Sequence, residues 1–403
     1  MRKNEKINIA NFVSSRGISR FGDILFDFAN STFLSSINSK SLFLIGIYQA
    51  AENLIGILFN LLGGVIADRF KRKKILLSTN IISGIGCIIL SFITVEKWLI
   101  YGIVLTNIIL AVLSSFSSPS YKSFTKEIVE KNNISKLNSY LEVVSTTVKV
   151  VVPLISVFLY DKLGIHGVLL LDGITFLFSG ILILFIKPEL TERMDNNKIS
   201  IKDIFVDLVM GFKYLLEYKV VFNLIILSAL INFFLAAYNL LLPYSGLMFP
   251  KISSGLYGTI LTAEATGGLL GAILSSLTNK SLNPSKMTLY LGLSGLSLLT
   301  TPILYFIFQS RIIILGPAIF SLFLAIFNIQ FFSYVQQNVE VNFLGRIFGI
   351  IYTVAVLFMP IGTIIFTIAL KPTFQFNFTI IGASILLLSG VFYNLFKKYS
   401  IRK

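Results

Sequence analysis

Cysteine, histidine and tryptophan each occur once in these 403 residues, and charged side chains make up only 13% of them. A lone cysteine, Cys87, inside an apolar stretch can form no intrachain disulfide and supplies no zinc or redox framework. His166 has no Cys, His or acidic cluster near it in the chain, so no metal site is expected, and it reads as a loop residue. There is no G-x-x-x-x-G-K-S/T run, which excludes a phosphate-loop ATPase, and Gly84-x-Gly86 falls within an apolar helix where it serves packing. No catalytic constellation survives, so neither an enzyme nor a bound cofactor is expected. Acids are scarce as well, 19 against 34 cations, leaving a net charge of +15. Such an excess can mark a nucleic-acid binder. Here the cations sit in short clusters between apolar runs and form no single face, so no nucleic-acid partner is expected.

What is present is hydrocarbon. With 55% hydrophobic residues and a mean hydropathy of +0.83, the chain cannot solvate a globular surface and reads as a polytopic membrane protein. Apolar stretches of roughly 20 residues, enough to cross about 30 Å of hydrocarbon, lie near 18–37, 42–67, 75–95, 98–119, 139–160, 164–186, 221–242, 255–277, 287–308, 311–334, 347–369 and 374–396. The first holds Asp23, Asp27 and Asn30 and lacks a small-x-small cleavage pattern, so it is read as a retained span. The expected fold is all-α and integral to the membrane, with twelve spanning helices in two six-helix bundles. The bundles are residues 1–186 and 220–403. Between them, 187–219 is a polar linker whose apolar positions 201, 204, 205, 208 and 209 suggest an amphipathic helix, on the inner leaflet or on the bundle ends. Alternate loops carry 27 Lys and Arg on one side and six on the other, which places both termini in the cytoplasm of a multi-pass cell-membrane protein.

The run Gly64-Val65-Ile66-Ala67-Asp68-Arg69-Phe70-Lys71-Arg72-Lys73 closes the second span and opens the third. Gly64 and Ala67 allow close helix approach, Asp68 can face the positive end of a neighbouring helix, and Arg69 and Arg72 can pair with acids or lipid phosphates. A bare positive-inside anchor would explain the cations but not the glycine four residues before an Asp-Arg pair. This spacing resembles the signature loop of the major facilitator superfamily, with Lys71 where that family usually has glycine. The resemblance implies a gate on the cytoplasmic side between two halves. The halves echo each other weakly: Gly271 to Ser276 lines up with Gly64 to Arg69, with serines replacing the Asp-Arg pair.

Further on, Gln337, the Leu344-Gly345-Arg346 turn, Pro360-Ile361-Gly362 and the Asp172-Gly173-Ile174-Thr175-Phe176 run are similar to elements of the drug and macrolide efflux branch of that superfamily. By that resemblance Gly345 and Arg346 open the eleventh helix, whose N-terminus Asp68 would cap. Of the glycine-rich antiporter signature in the fifth helix only Pro153 remains, and the arginine of many proton antiporters is missing from 98–119.

A charge at the centre of a span costs at least about 2.5–3.5 kcal/mol, so each one asks for a partner or a task. Asp23 and Asp27 share a face of the first helix; Glu52, Glu142 with Lys149, and Glu264 lie in the second, fifth and eighth. Asp23, Glu142 and Asp172 are near enough to span ends to face water or cap a helix. The resemblance puts the others at a cavity or half-to-half interface, where Lys149 with an acid, Asp27 first, would form a proton-sensitive network. Asn30, Asn107, Asn232, Tyr238, Asn239, Asn328 and Gln330 could contact a bulky amphiphile, or bond helix to helix. The expected function is secondary active export of a small amphiphilic compound, drug- or macrolide-like, by alternating access coupled to protons. Its partners would be that substrate, protons and membrane lipids, acting on a monomer. The alternatives are a lipid, siderophore or dedicated metabolite exporter, or a non-transporting immunity or partner protein.

Overall fold

In hydrocarbon a backbone N–H or C=O finds no water, so a lipid-facing segment of this length must satisfy itself as a helix. The computed structural model of the chain describes residues 3–37, 41–130, 133–188, 210, 212–213, 215–252, 255–276, 282–339 and 341–401, and these are helical apart from turns. The helices are α1 (Lys3–Ser36), α2 (Ser41–Arg69), α3 (Arg72–Ser91), α4 (Glu96–Ile128), α5 (Ile134–Phe185), α6 (Lys219–Leu241), α7 (Leu256–Ser276), α8 (Pro284–Phe308), α9 (Leu315–Asn338), α10 (Val341–Ala369) and α11 (Asn377–Ile401). Nine helices among the described residues are long and apolar enough to cross a membrane. One of these, within α5, serves as two spans. The charges of α1 dilute its hydropathy, and α10 contributes the apolar stretch Leu357–Ala369; these two complete the twelve. The amphipathic helix expected over 201–209, with most of the 187–219 linker, lies outside the described residues.

Alpha5 is 52 residues long, far more than a bilayer requires, and it reverses at Gly164. On α1, Gly17 abuts Val144 while Ser15 hydrogen-bonds Ser179, so neighbouring positions of one helix touch both arms of α5. Gly164 adopts φ 61° and ψ −174°, a region open in practice to glycine alone. Gly164→Ala is therefore expected to destabilise the protein by about 1–3 kcal/mol, read as a lower melting temperature in detergent. An unchanged melt would mean that the turn does not need glycine. His166, expected in a loop, stands just inside the second arm, where Nδ1 donates to the Ser91 carbonyl at 3.0 Å.

The chain divides into two units, Met1–Lys198 and Ile199–Lys403. In the first, α1 packs on α5, α2 on α4, and α3 on α5; in the second, α6 packs on α10, α7 on α9, and α8 on α11. With α5 counted as the fifth and sixth spans, these are the same pairings in the same order. Each unit thus repeats one six-helix topology.

The start of the first span differs from expectation. The helix begins at Lys3 instead of near residue 18, because Ile9 and Phe12 are buried against Leu76, Tyr121, Phe124 and Ile128. That amphipathic turn carries too many polar residues to register as a span. Its continuation brings Arg16 and Arg20, two of the 27 cations counted to the cytoplasmic side, into the bundle.

Candidate functional site

Steps of four and three along α1 put Arg16, Arg20, Asp23, Asp27 and Asn30 on one face of the helix. Arg16 stacks on Tyr121 of α4, its guanidinium carbon 4.4 Å from the ring centroid. Arg20 Nη1 lies 3.6 Å from Asp23 Oδ2. These side chains open on a cavity whose other walls are Thr79, Asn80 and Ser83 of α3, Leu110, Leu113, Ser114 and Ser117 of α4, and Phe176 of α5.

Further along α1, Asp27 accepts a hydrogen bond from the hydroxyl of Tyr48 on α2 at 2.9 Å. Asn107 of α4 steadies that tyrosine by donating to its backbone carbonyl at 2.9 Å. Glu52, one turn beyond Tyr48, lies within electrostatic reach of Asp27, as do Asp23 and Asp172. Asn30 is fully buried beside the Tyr48 hydroxyl, and its amide makes no hydrogen bond of good geometry among the described residues. Asp172 is not at a water-facing span end as expected but has 0% exposure, wedged against Gly22 of α1. Neither of its carboxyl oxygens has a hydrogen-bond partner of good geometry among the described residues, and its polar neighbours are the Cys87 thiol, a weak donor, and the Thr175 hydroxyl, which donates to the Asp172 backbone carbonyl. A buried polar group left in this way is costly and marks a place where structure has yielded to another requirement.

Lys149 and Glu142 lie on exposed positions of α5. Among the described residues of the N-terminal unit Lys149 forms no ion pair with Asp27, and Tyr48 hydrogen-bonds that acid instead. Tyr48 is one of 16 tyrosines and carries no charge to mark it, which is why that partner was not legible. The signal that could have found the α1 site was present: the 16, 20, 23, 27, 30 spacing.

At the turn between α2 and α3, Arg72 donates through Nη1 to Glu127 Oε1 of α4 at 2.8 Å, with 13% and 14% of the two side chains exposed. Lys73 Nζ donates to the carbonyls of Leu184 and Ile186 at 2.9 and 2.8 Å, closing the C-terminal end of α5. On the same end of the unit Asn8 donates to the Lys187 carbonyl at 2.7 Å, and Glu5 accepts from the backbone of Glu130 at 2.9 Å. Alpha2 continues through Gly64 and Asp68 to Arg69, and α10 through Gly345 and Arg346. The side chains of those five lie outside the described residues. Removing either Arg72 or Glu127 takes this ion pair from a shielded charge. Arg72→Gln and Glu127→Gln are each expected to cost more than the double variant, by less than the roughly 3–5 kcal/mol of a fully buried pair. Thermal melts of the cycle check this, and additive singles would show no coupling.

In the C-terminal unit Tyr238 of α6 donates a short hydrogen bond to Glu264 of α7. Phe320 and Phe378 enclose the tyrosine, with ring centroids 5.1 and 5.2 Å away. Gly267 and Gly271, one turn apart, bring the α7 backbone against the Ala318 and Leu322 carbonyls of α9. Gln330 of α9 donates to Ser275 Oγ at 2.8 Å and accepts from the Leu282 backbone at 2.9 Å. Asn107, Tyr238 and Gln330 thus bond helix to helix, while Asn232 donates to the Ser228 carbonyl of its own helix.

Two topologically repeated six-helix units, with charged and polar side chains held inside an apolar scaffold, define a membrane transporter of the two-bundle class. Residues 13–363 match the family model of the Major Facilitator Superfamily, and the chain belongs to that superfamily of transporters, which are not enzymes. It is 22% identical over 312 residues to macrolide efflux protein A of Enterococcus faecalis, covering 74% of this chain and 92% of that protein. With YfiS of Bacillus subtilis (strain 168), an uncharacterized MFS-type transporter, it shares 24% identity over 382 residues, 89% of this chain and 86% of that one. The crystal structure of a POT family transporter in complex with 5-aminolevulinic acid superposes with a TM-score of 0.71 at 15% identity, covering 97% of this chain and 96% of the other. That likeness shows the fold.

Proposed function

We infer that this chain exports small amphiphilic compounds, drug- or macrolide-like, by alternating access driven by the proton gradient. The observation that carries the reading is the α1 face, on which Asp27, hydrogen-bonded by Tyr48 and close to Glu52, presents exchangeable carboxyls inside an apolar bundle. The similarity to macrolide efflux proteins supports the direction and the substrate class. The 27-to-six distribution of cations supports a topology with both termini cytoplasmic. In that orientation the Arg72–Glu127 and Lys73 contacts brace the cytoplasmic end of the N-terminal unit. The signature-loop resemblance makes Gly64, Asp68, Arg69, Gly345 and Arg346 the candidate gating residues. Glu264, buttressed by Tyr238, and the more open Glu142 and Lys149 are secondary candidates for coupling or substrate contact. The working unit is a monomer in contact with lipid.

The test is uptake of a chemically broad panel of fluorescent amphiphiles into inverted membrane vesicles, with and without a protonophore. Protonophore-sensitive accumulation of at least one amphiphile is expected. Accumulation that ignores the protonophore would overturn proton coupling, and no accumulation across the panel would overturn export.

A further inference from the structure

The cavity beside α1 has an unbalanced charge that export of a neutral or cationic compound does not explain. Arg16 and Arg20 face it one turn apart, against the single carboxylate of Asp23. Stacking on Tyr121 occupies the flat face of the Arg16 guanidinium and leaves its edge donors for another partner. Among the described residues of this unit, no hydrogen bond or ion pair takes them up. Arg20 is only partly satisfied: its contact with Asp23 is long at 3.6 Å, both side chains are more than a third exposed, and its buried Nε has no hydrogen-bond partner. Two fork-shaped cations with spare donors, inside a helical bundle, fit an oxyanion, because a guanidinium binds carboxylate or phosphate through paired N–H groups. Ser83 and Ser114 add hydroxyls to the same wall, and Leu113 and Phe176 add apolar surface for a hydrocarbon body.

We propose that this cavity, between α1, α3 and α4 of the N-terminal unit, binds the anionic oxygen head of an amphiphile, a carboxylate or a phosphate, with Arg16 and Arg20 as its ligands. The head docks where two cations face one acid, and the apolar body lies along α4 and α5. The proposal rests on the reading that amphiphiles are the transported class, and it adds that their head is an anion. Asp27, two turns from Arg20 on the same face, is left to carry the proton.

The experiment is equilibrium binding to full-length purified protein in neutral maltoside detergent. The probes are 12-(dansylamino)dodecanoic acid and its methyl ester, which differ only in the charged head. The acid is expected to bind about tenfold tighter or more, the scale of one charge-assisted hydrogen bond. In Arg16→Gln and Arg20→Gln that preference is expected to fall to within about twofold, the loss of one such bond. Equal binding of acid and ester by the parent, or a preference that survives both substitutions together, would overturn the site. A measurement on the unaltered protein stands beside it should either variant misfold: dodecyl phosphate is expected to raise the melting temperature and 1-dodecanol to leave it in place, and equal shifts would again overturn the site. Repeating the dansyl titration in phosphatidylcholine nanodiscs with and without phosphatidylglycerol separates the two sources of the head. Competition by the added lipid assigns the site to a headgroup of the leaflet, and its absence assigns it to a diffusing amphiphile. Because binding is read without transport, loss of the acid preference leaves the export reading standing. Failure of flux with the preference intact would instead remove only export.

Discussion

Asp27→Asn is expected to abolish proton-driven accumulation in inverted vesicles, by about two orders of magnitude, the scale on which a positioned proton-transfer group acts. The substitution keeps the shape and removes the exchangeable proton. Tyr48 donates to Asp27 at 2.9 Å from the neighbouring helix, so an amide oxygen in the same place still accepts that bond and the fold has little reason to change. Counterflow exchange of substrate, which needs no net proton movement, is expected to persist. Tyr48→Phe, which keeps the ring and removes only the hydroxyl, is expected to lose one hydrogen bond, about 0.5–1.5 kcal/mol, and to slow driven transport less than Asp27→Asn does. If Asp27→Asn accumulates substrate against the gradient at the parental rate, the proton is carried elsewhere, with Glu264 the next carboxyl to test. The Tyr238 hydroxyl supports Glu264 much as that of Tyr48 supports Asp27. Each unit therefore holds a tyrosine–carboxyl pair between adjacent helices.

The second large effect is on the fold. Gly267→Ala combined with Gly271→Ala is expected to deplete folded protein from the membrane, because a β-carbon at either position would press into a backbone carbonyl of α9. Side chains can rotate away from an intruding methyl, but a helix backbone can only move as a body. Each substitution is expected to cost about 1–3 kcal/mol or more from overpacking, and the two share one interface, so their effects will not add independently. Gly390 in α11 is the control, since a β-carbon there meets nothing within 4 Å. Gly390→Ala is expected to be neutral or to stabilise by up to about 1 kcal/mol through helix propensity. Melting curves in detergent for the three proteins decide the matter. A double variant that melts with the parent would mean that α7 and α9 do not pack at these glycines.

Much of this architecture is written in the chain, and the reason is the solvent. Hydrocarbon tolerates no unpaired backbone, so a run of apolar residues of spanning length has a single outcome, and counting such runs yields helices and their number. The Gly267-x-x-x-Gly271 contact follows from a related rule: two small residues one turn apart remove an obstacle to close helix approach. The acids on α1 were legible because a charge inside a span is expensive wherever it points.

What each charge meets was a different matter. A helix that starts at Lys3 carries Arg16 and Arg20 into the bundle, and only the packing of Ile9 and Phe12 on α3 and α4 shows that the helix starts there. The partner of Asp27 is Tyr48 and not the oppositely charged Lys149, and Arg72 finds Glu127 at the far end of the next helix, 55 residues on. Asp172 is enclosed because α1 presents Gly22 to it. Hydropathy averages over a whole helix and reports its surroundings, so the pattern of apolar runs determined the membrane class and the helices. Pairing depends on which faces of helices far apart in the chain are turned toward each other, a property of rotation and depth that only the packed bundle decides.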